Sequence, residues 1–145
     1  TTQLKGNKFQ QILENQFNHQ SIDPFRISFV SFGYKHGIPK DADLLFDVRF
    51  LPNPFYIDEL RNLTGNDKEV YDYVIDKPET QKFINKMTDL LDYLLDEYDK
   101  EGKTHVVIGI GCTGGQHRSV SLTNYFADYY SEKYHVHRLH RDAIH

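Results

Sequence analysis

The 145-residue sequence has no tryptophan, one methionine and a single cysteine, Cys112. A lone cysteine cannot form an internal disulfide, and without a CxxC pair the sequence offers no cysteine-based zinc site. Long apolar runs are missing as well, since the longest, over residues 106–110, is far shorter than the roughly 20 residues of a membrane-spanning helix. The sequence also opens without a signal-like segment. We therefore expect a cytoplasmic protein with no membrane contact.

The composition that is present is that of a folded domain, with 39% hydrophobic and 26% charged residues. Seventeen lysines and arginines against twenty-one acids give a formal charge of −4, which does not indicate nucleic-acid binding by itself. The charges are uneven. Six acids and one lysine lie in residues 89–101, whereas four arginines and lysines and five of the eight histidines lie from residue 117 onward. One end of the chain could therefore attract anions that the other repels.

The first half of the sequence alternates between apolar and turn-forming segments. Residues 1–20 are compatible with a short helix. Residues 26–32 and 44–50 are rich in Ile, Phe and Val and run into glycine or proline, so both are predicted strands. A loop at residues 33–37 separates these strands, and a short helix is predicted near residues 57–63.

A long helix and a βαβ unit are predicted for the second half. Between Pro78 and Gly102, apolar side chains recur every three or four residues and should share one helix face: Phe83, Met87, Leu90, Leu91, Leu94, Leu95 and Tyr98. A strand at residues 104–110, a helix at 117–133 and a strand at 135–139 follow. Such a unit implies parallel strands, with ligands bound at their carboxyl ends.

These elements together predict an α/β fold. We expect a single-domain sandwich over residues 26–145, with a largely parallel sheet and a βαβ unit that carries a glycine-rich loop. Residues 1–25 are assigned to a linker or short helix before this domain.

The glycine-rich loop leaves an apolar strand and enters a helix, so its backbone amides and the unpaired N–H groups of the helix should face one point. That point favours an anion. Side chains of the loop add further hydrogen-bond donors. The predicted anion-binding residues of the loop are Cys112, Thr113, Gly114, Gly115, Gln116, His117, Arg118 and Ser119.

Two nucleotide-binding patterns fit this loop poorly. Gly109, Gly111 and Gly114 satisfy the GxGxxG dinucleotide fingerprint, but no acid closes the following strand to hold a ribose. The P-loop ATPase pattern requires a lysine after its last glycine, and Gly115 occupies that place. Neither dinucleotide binding nor nucleotide hydrolysis is therefore expected of this loop.

A third pattern is closer, because Cys112 and Arg118 have the spacing of the cysteine-dependent phosphatase signature. A thiol at a helix N-terminus can have a lowered pKa and act as a nucleophile. However, Gly111 precedes the cysteine where a histidine is usual, and the candidate general acids, Asp47 and Asp58, have no motif behind them. A buried, inert thiol is at least as good an interpretation, so catalysis stays an alternative.

Several blocks of the sequence, in order, resemble the C-terminal domain of the RapZ/YvcJ family. The resemblance runs from about residue 26 to residue 142. It rests on Ser31-Phe-Gly-Tyr-Lys-His-Gly37, Asp41-Ala-Asp, Phe46-Asp-Val-Arg-Phe-Leu-Pro-Asn-Pro54, Leu60-Arg-x-Leu-Thr-Gly65, Gly109-x-Gly-Cys-Thr-Gly-Gly-Gln-His-Arg-Ser-Val120 and His140-Arg-Asp142.

The resemblance implies a regulatory domain that senses a phosphorylated amino sugar, glucosamine-6-phosphate or a similar metabolite, and engages small RNA or a protein partner as an adaptor. It also implies a homo-oligomer and an N-terminal P-loop ATPase domain, which this chain lacks because it contains no Walker motif. No cofactor is expected.

The matching positions extend the predicted site beyond the loop. Lys35 and His36 lie in the loop after the first strand, and Arg49 lies at the end of the second strand. Asn53 lies in the Pro-Asn-Pro turn that follows, and all four residues could converge on the glycine loop. The RNA-binding candidates are Lys133, Arg138, His140 and Arg141. His135 and His137 should share a face of their strand, but no third ligand accompanies them, so we expect no metal.

Overall fold

The structure is a computed structural model that describes residues 25–144, so the predicted helix or linker before residue 25 lies outside the described residues. Eight helices and strands follow one another along this part of the chain. They are β1 (Arg26–Gly33), β2 (Leu44–Asp47), α1 (Asp58–Arg61), α2 (Lys68–Ile75), α3 (Pro78–Glu101), β3 (His105–Cys112), α4 (Arg118–Tyr130) and β4 (His135–His140), with 3-10 turns at Tyr34–His36 and Pro54–Tyr56.

The four strands form one parallel sheet in the order β2-β3-β1-β4. β1 lies in the centre, where Phe29 pairs with Ile108 of β3 on one side and Arg138 of β4 on the other. The βαβ unit from β3 through α4 to β4 therefore crosses over β1. The predicted α/β fold with a parallel sheet is confirmed.

The core lies between the sheet and the helices. Ile27 and Phe29 of β1 are fully buried, and the rings of Phe126 and Tyr130 on α4 stack on Phe29 at centroid distances of 6.3 and 6.1 Å. This packing fixes α4 against β1, so the N-terminus of α4 lies close to the carboxyl ends of β1 and β3.

Helix α3 begins and ends as predicted. Pro78 occupies its first turn, and Gly102 ends it with a left-handed φ of 95° while donating its N–H to the Asp99 carbonyl. The predicted apolar face needs one correction, because Leu90 is exposed and Ile84 is buried instead. No helix in the described range is long and apolar enough to cross a membrane.

Two elements differ from the sequence prediction. The second strand, predicted over residues 44–50, ends at Asp47, whose carboxylate accepts the backbone N–H of Arg49 where a turn begins. Helix α2 was not predicted. It follows the turn formers Thr64–Asp67, and its buried side chains are Val70, Val74 and Ile75.

Candidate anion-binding site

A cavity of about 360 Å³ lies at the carboxyl end of β3, beside the start of α4. Eight of the twelve residues predicted to bind the ligand border it, together with two aromatic residues that the sequence did not indicate. Its lining consists of Lys35, Asn53, Phe55, Tyr56, Cys112, Thr113, Gly114, Gln116, His117 and Arg118. The fold therefore brings three segments that are distant in sequence to one place.

The glycines of the loop allow its backbone to lie directly on the end of β1. A Cβ atom on Gly33 would stand 2.5 Å from the carbonyl carbon of Gly114, and one on Gly115 would stand 2.7 Å from the nitrogen of Gly33. Gly115 also has a φ of 78°, in the left-handed region that favours glycine. Beside this contact, the backbone N–H of Lys35 donates to the Thr113 carbonyl at 3.2 Å, which brings the lysine to the cavity.

Arg118, the first residue of α4, is the buried cation of the site, with 5% of its surface exposed. Its Nη1 donates to the carbonyls of Arg49 and Leu51 at 2.5 and 3.1 Å, which ties the segment after β2 to the helix. Its Nε is also buried and has no hydrogen-bond partner among the described residues. A buried donor without a partner is costly, and Arg118 is also one of the residues that border the cavity.

His117 precedes α4 and contributes a neutral ring rather than a second cation. Burial lowers its pKa and outweighs the opposing effect of nearby carbonyls, one of which, on Arg61, lies 3.2 Å from Nε2. Cys112 is buried as well, and its Sγ lies 3.2 Å from the Ser119 hydroxyl. An anion bound at the loop would therefore meet a guanidinium, backbone amides and neutral polar groups.

Asn53 belongs to the part of the cavity lining that is distant from the glycine loop in sequence. Its carboxamide oxygen accepts the backbone N–H of Phe55 at 3.1 Å and caps the short turn Pro54–Tyr56. Its NH2 group is the donor that it can offer to a ligand.

Arg49 and His36 do not border the cavity. The Arg49 guanidinium donates to both carboxylate oxygens of Asp47, with the shortest distance 2.6 Å, and lies 4.1 Å from the Tyr34 ring centroid. The hydrogen bonds from Arg49 are the main reason that the pKa of Asp47 is lowered. Arg49 thus serves the site through its carbonyl, which accepts from Arg118. Gly115 and Ser119 are the other two predicted residues that do not border the cavity. Gly115 packs on the end of β1, and the Ser119 hydroxyl contacts Cys112.

The segment after β4 is fastened to the glycine loop. The side chain of Gln116 donates to the Asp142 carbonyl at 2.7 Å and accepts the backbone N–H of Ile144 at 2.9 Å. The Asp142 carboxylate accepts the backbone N–H of Gly33 at 2.8 Å. A residue that lines the cavity therefore also holds the last described residues of the chain.

The cations predicted to bind RNA lie away from this cavity and are largely engaged within the domain. Arg138 forms an ion pair with Asp128, and Arg141 forms one with Asp142 at 2.8 Å. Lys133 lies 5.7 Å from the ring centroid of its neighbour Tyr134. Within residues 25–144, no group of three or more His, Cys, Asp or Glu side chains is placed to hold a metal ion.

Comparison with known proteins places the chain in a family. Residues 25–144 match the family model that describes the RapZ C-terminal domain. A nucleotide-binding protein of Bacillus licheniformis is 51% identical over 142 residues, and so is the nucleotide-binding protein YvcJ of Bacillus subtilis. Each alignment covers 98% of this chain and 48% of the relative, so the chain spans about half the length of the curated relatives it matches. With all of the described residues matched, the chain belongs to the RapZ C-terminal domain family.

Proposed function

We propose that this domain is a regulatory binding domain whose cavity takes a phosphorylated amino sugar similar to glucosamine-6-phosphate, and that it engages small RNA or a protein partner as an adaptor. The observation that carries the proposal is the buried Arg118, which borders the cavity at a glycine-rich loop that opens a helix. Such an arrangement favours a bound oxyanion over any neutral group.

The phosphate of the ligand would lie against the loop. Backbone N–H groups at the start of α4 point toward this region, and the positive end of the helix dipole adds to the charge of Arg118. Lys35 supplies a second cation from the turn after β1. Two cations and no carboxylate border the cavity among the described residues, which matches the charge of a phosphate monoester.

The sugar part would meet neutral groups. The Thr113 hydroxyl and the Asn53 carboxamide border the cavity and can bind hydroxyl or amino substituents. The amino substituent itself is proposed from the resemblance to RapZ-like domains. The ATPase domain that this resemblance implies would belong to the part of the relatives that the chain does not span, and homo-oligomerisation belongs to the same proposal.

Calorimetric titration with glucosamine-6-phosphate tests the cavity. We expect Lys35→Ala to weaken binding about tenfold, since hydrogen bonds to charged groups contribute about 1.5–3 kcal/mol. Lys40→Ala is the matched control, because Lys40 is an exposed lysine in the same stretch that does not border this cavity. Equal affinity in the wild type and in both variants would remove the cavity from the proposal.

The alternative function, a cysteine-dependent phosphatase, is favoured by one observation, namely that Cys112 and Arg118 border the same cavity. The candidate acids do not support it. Asp47 is hydrogen bonded to Arg49, and Asp58 is paired with Arg61 at 3.0 Å. Without an acid to protonate the leaving group, we expect no turnover of an aryl phosphate at pH 5–7. Turnover that Cys112→Ser abolishes would replace the binding function with catalysis.

A further inference from the structure

Two aromatic side chains border the cavity although much of their surface is exposed. Phe55 is 49% exposed and Tyr56 is 78% exposed. Single exposed aromatic side chains are common on protein surfaces. Two consecutive rings beside a buried arginine and a glycine-rich loop form a more specific arrangement, because they offer apolar contact to whatever is joined to the anion.

The turn that carries the two rings, and the Phe55 ring itself, are held by contacts within the domain. Arg61 donates from Nε to the Phe55 carbonyl at 2.8 Å, and its guanidinium lies 5.1 Å from the centroid of the Phe55 ring. Asn53 fixes the same turn through the Phe55 N–H. The Phe55 and Tyr56 rings contact each other edge to face at 5.8 Å. A wall fixed in this way loses little conformational entropy when a ligand packs against it.

The dimensions of the cavity also call for more than a phosphate ion. Its volume of about 360 Å³ is in the lower part of the range of small-molecule sites, roughly 300–1,000 Å³. The cations that border it, Lys35 and Arg118, account for the anion, and the aromatic wall has no counterpart in a free phosphate. A ring joined to the phosphate satisfies both parts of the cavity.

We infer that Phe55 and Tyr56 form a ring-binding subsite, through which the cavity prefers phosphate monoesters of cyclic sugars to inorganic phosphate and to acyclic phosphate esters. This inference rests on the proposed function. A sugar ring presents an apolar face of C–H bonds with hydroxyl groups around its edge. An aromatic side chain of low conformational entropy is suited to that face, while Asn53 and Thr113 can reach the edge.

Titrations of the whole chain with three probes test the subsite: inorganic phosphate, glycerol 3-phosphate and glucosamine-6-phosphate. We expect Tyr56→Ala to weaken glucosamine-6-phosphate about tenfold, near the lower end of the effect of removing a stacking ring. The same variant should change the affinity for the other two probes less than about twofold. Tyr93→Ala is the matched control, because Tyr93 is 64% exposed on α3 and does not border the cavity.

The outcomes separate this inference from the function on which it rests. If the wild type binds sugar phosphate and Tyr56→Ala binds it equally well, the ring subsite is wrong and the anion site stands. A uniform loss for all three probes also overturns the subsite, because the substitution would then act on the phosphate. If the wild type binds none of the probes, both the proposed function and the subsite are overturned.

Discussion

At the scale of single residues, the histidines show how burial decides the role of a side chain. His117 is buried and His105 and His140 are partly buried, and all three are hydrogen bonded within the domain. The ring of His105 bonds the Ser28 hydroxyl at 2.8 Å, and His140 bonds the Ser31 hydroxyl through Nδ1, also at 2.8 Å. Burial is the main cause of a lowered pKa in all three rings. They are therefore neutral structural groups at physiological pH.

These histidines predict a loss of stability in mild acid. Each folded-state pKa lies below the ordinary value of 6.5, so the unfolded chain binds more protons and the stability that the neutral rings provide is complete only above about pH 6.5. The Tm should be lower at pH 5.5 than at pH 7.5.

Thermal unfolding of a histidine variant checks the cause. In His140→Gln the fall in Tm between pH 7.5 and pH 5.5 should be smaller than in the wild type, because one of the three groups no longer titrates. The stability that comes from the lowered pKa of Asp47 is complete above its ordinary value of 3.8 and is lost only at lower pH, outside this window. A Tm that stays constant or rises toward pH 5.5 would contradict the explanation.

At the scale of elements, the glycines differ in how far their backbone could accept a side chain. Three glycines allow two causes of strain to be told apart, namely a left-handed φ and a steric clash at the Cβ position. A Cβ on Gly114 would make only ordinary contacts, at 3.9 Å or more, and its φ is not left-handed. Gly102 has a φ of 95° with open space around it, whereas Gly115 combines a φ of 78° with a Cβ position 2.7 Å from backbone.

Alanine should destabilise the domain least at Gly114, more at Gly102 and most at Gly115. We expect less than about 0.5 kcal/mol for Gly114→Ala. Gly102→Ala should cost on the order of 1–3 kcal/mol from the left-handed backbone, and Gly115→Ala should cost more because a clash with β1 is added. The free energies of unfolding in urea measure this order. Equal losses at positions 102 and 115 would show that the loop can move away from β1.

At the scale of the whole molecule, charge limits what the domain can bind alone. The formal charge is −4, and two of the four proposed RNA contacts, Arg138 and Arg141, are ion-paired with Asp128 and Asp142. His140 adds no charge near neutral pH, since burial lowers its pKa. The four proposed RNA contacts therefore include few cations that are not already engaged within the domain.

Binding of structured RNA should accordingly be weak and should fall steeply between 50 and 200 mM salt, because it depends on counterion release. Lys133→Glu should weaken it further. The control for the change in net charge is Lys86→Glu, because Lys86 is an exposed lysine on α3. Oligomers would present several copies of the four proposed RNA contacts and so strengthen binding. Tight binding that ignores salt, or equal losses in the two variants, would mean that RNA contacts another surface.

The sequence alone determined the features that depend on neighbouring residues. The strand at residues 26–32, the helix between Pro78 and Gly102, and the βαβ unit around the glycine loop follow from apolar periodicity and from glycine and proline punctuation, and all are confirmed. The family also followed from the order of short motifs. These signals are local, so they can be recognised in the sequence without knowledge of the fold.

Tertiary structure alone decided which side chains reach the cavity. Arg49 was a predicted ligand, but its guanidinium pairs with Asp47 and only its carbonyl serves Arg118, a residue 69 positions away in sequence. Phe55 and Tyr56 carry no sequence signal of a site and border the cavity because their turn lies beside the start of α4. Such roles depend on contacts between distant segments, and those exist only once the core between the sheet and α4 has brought the segments together.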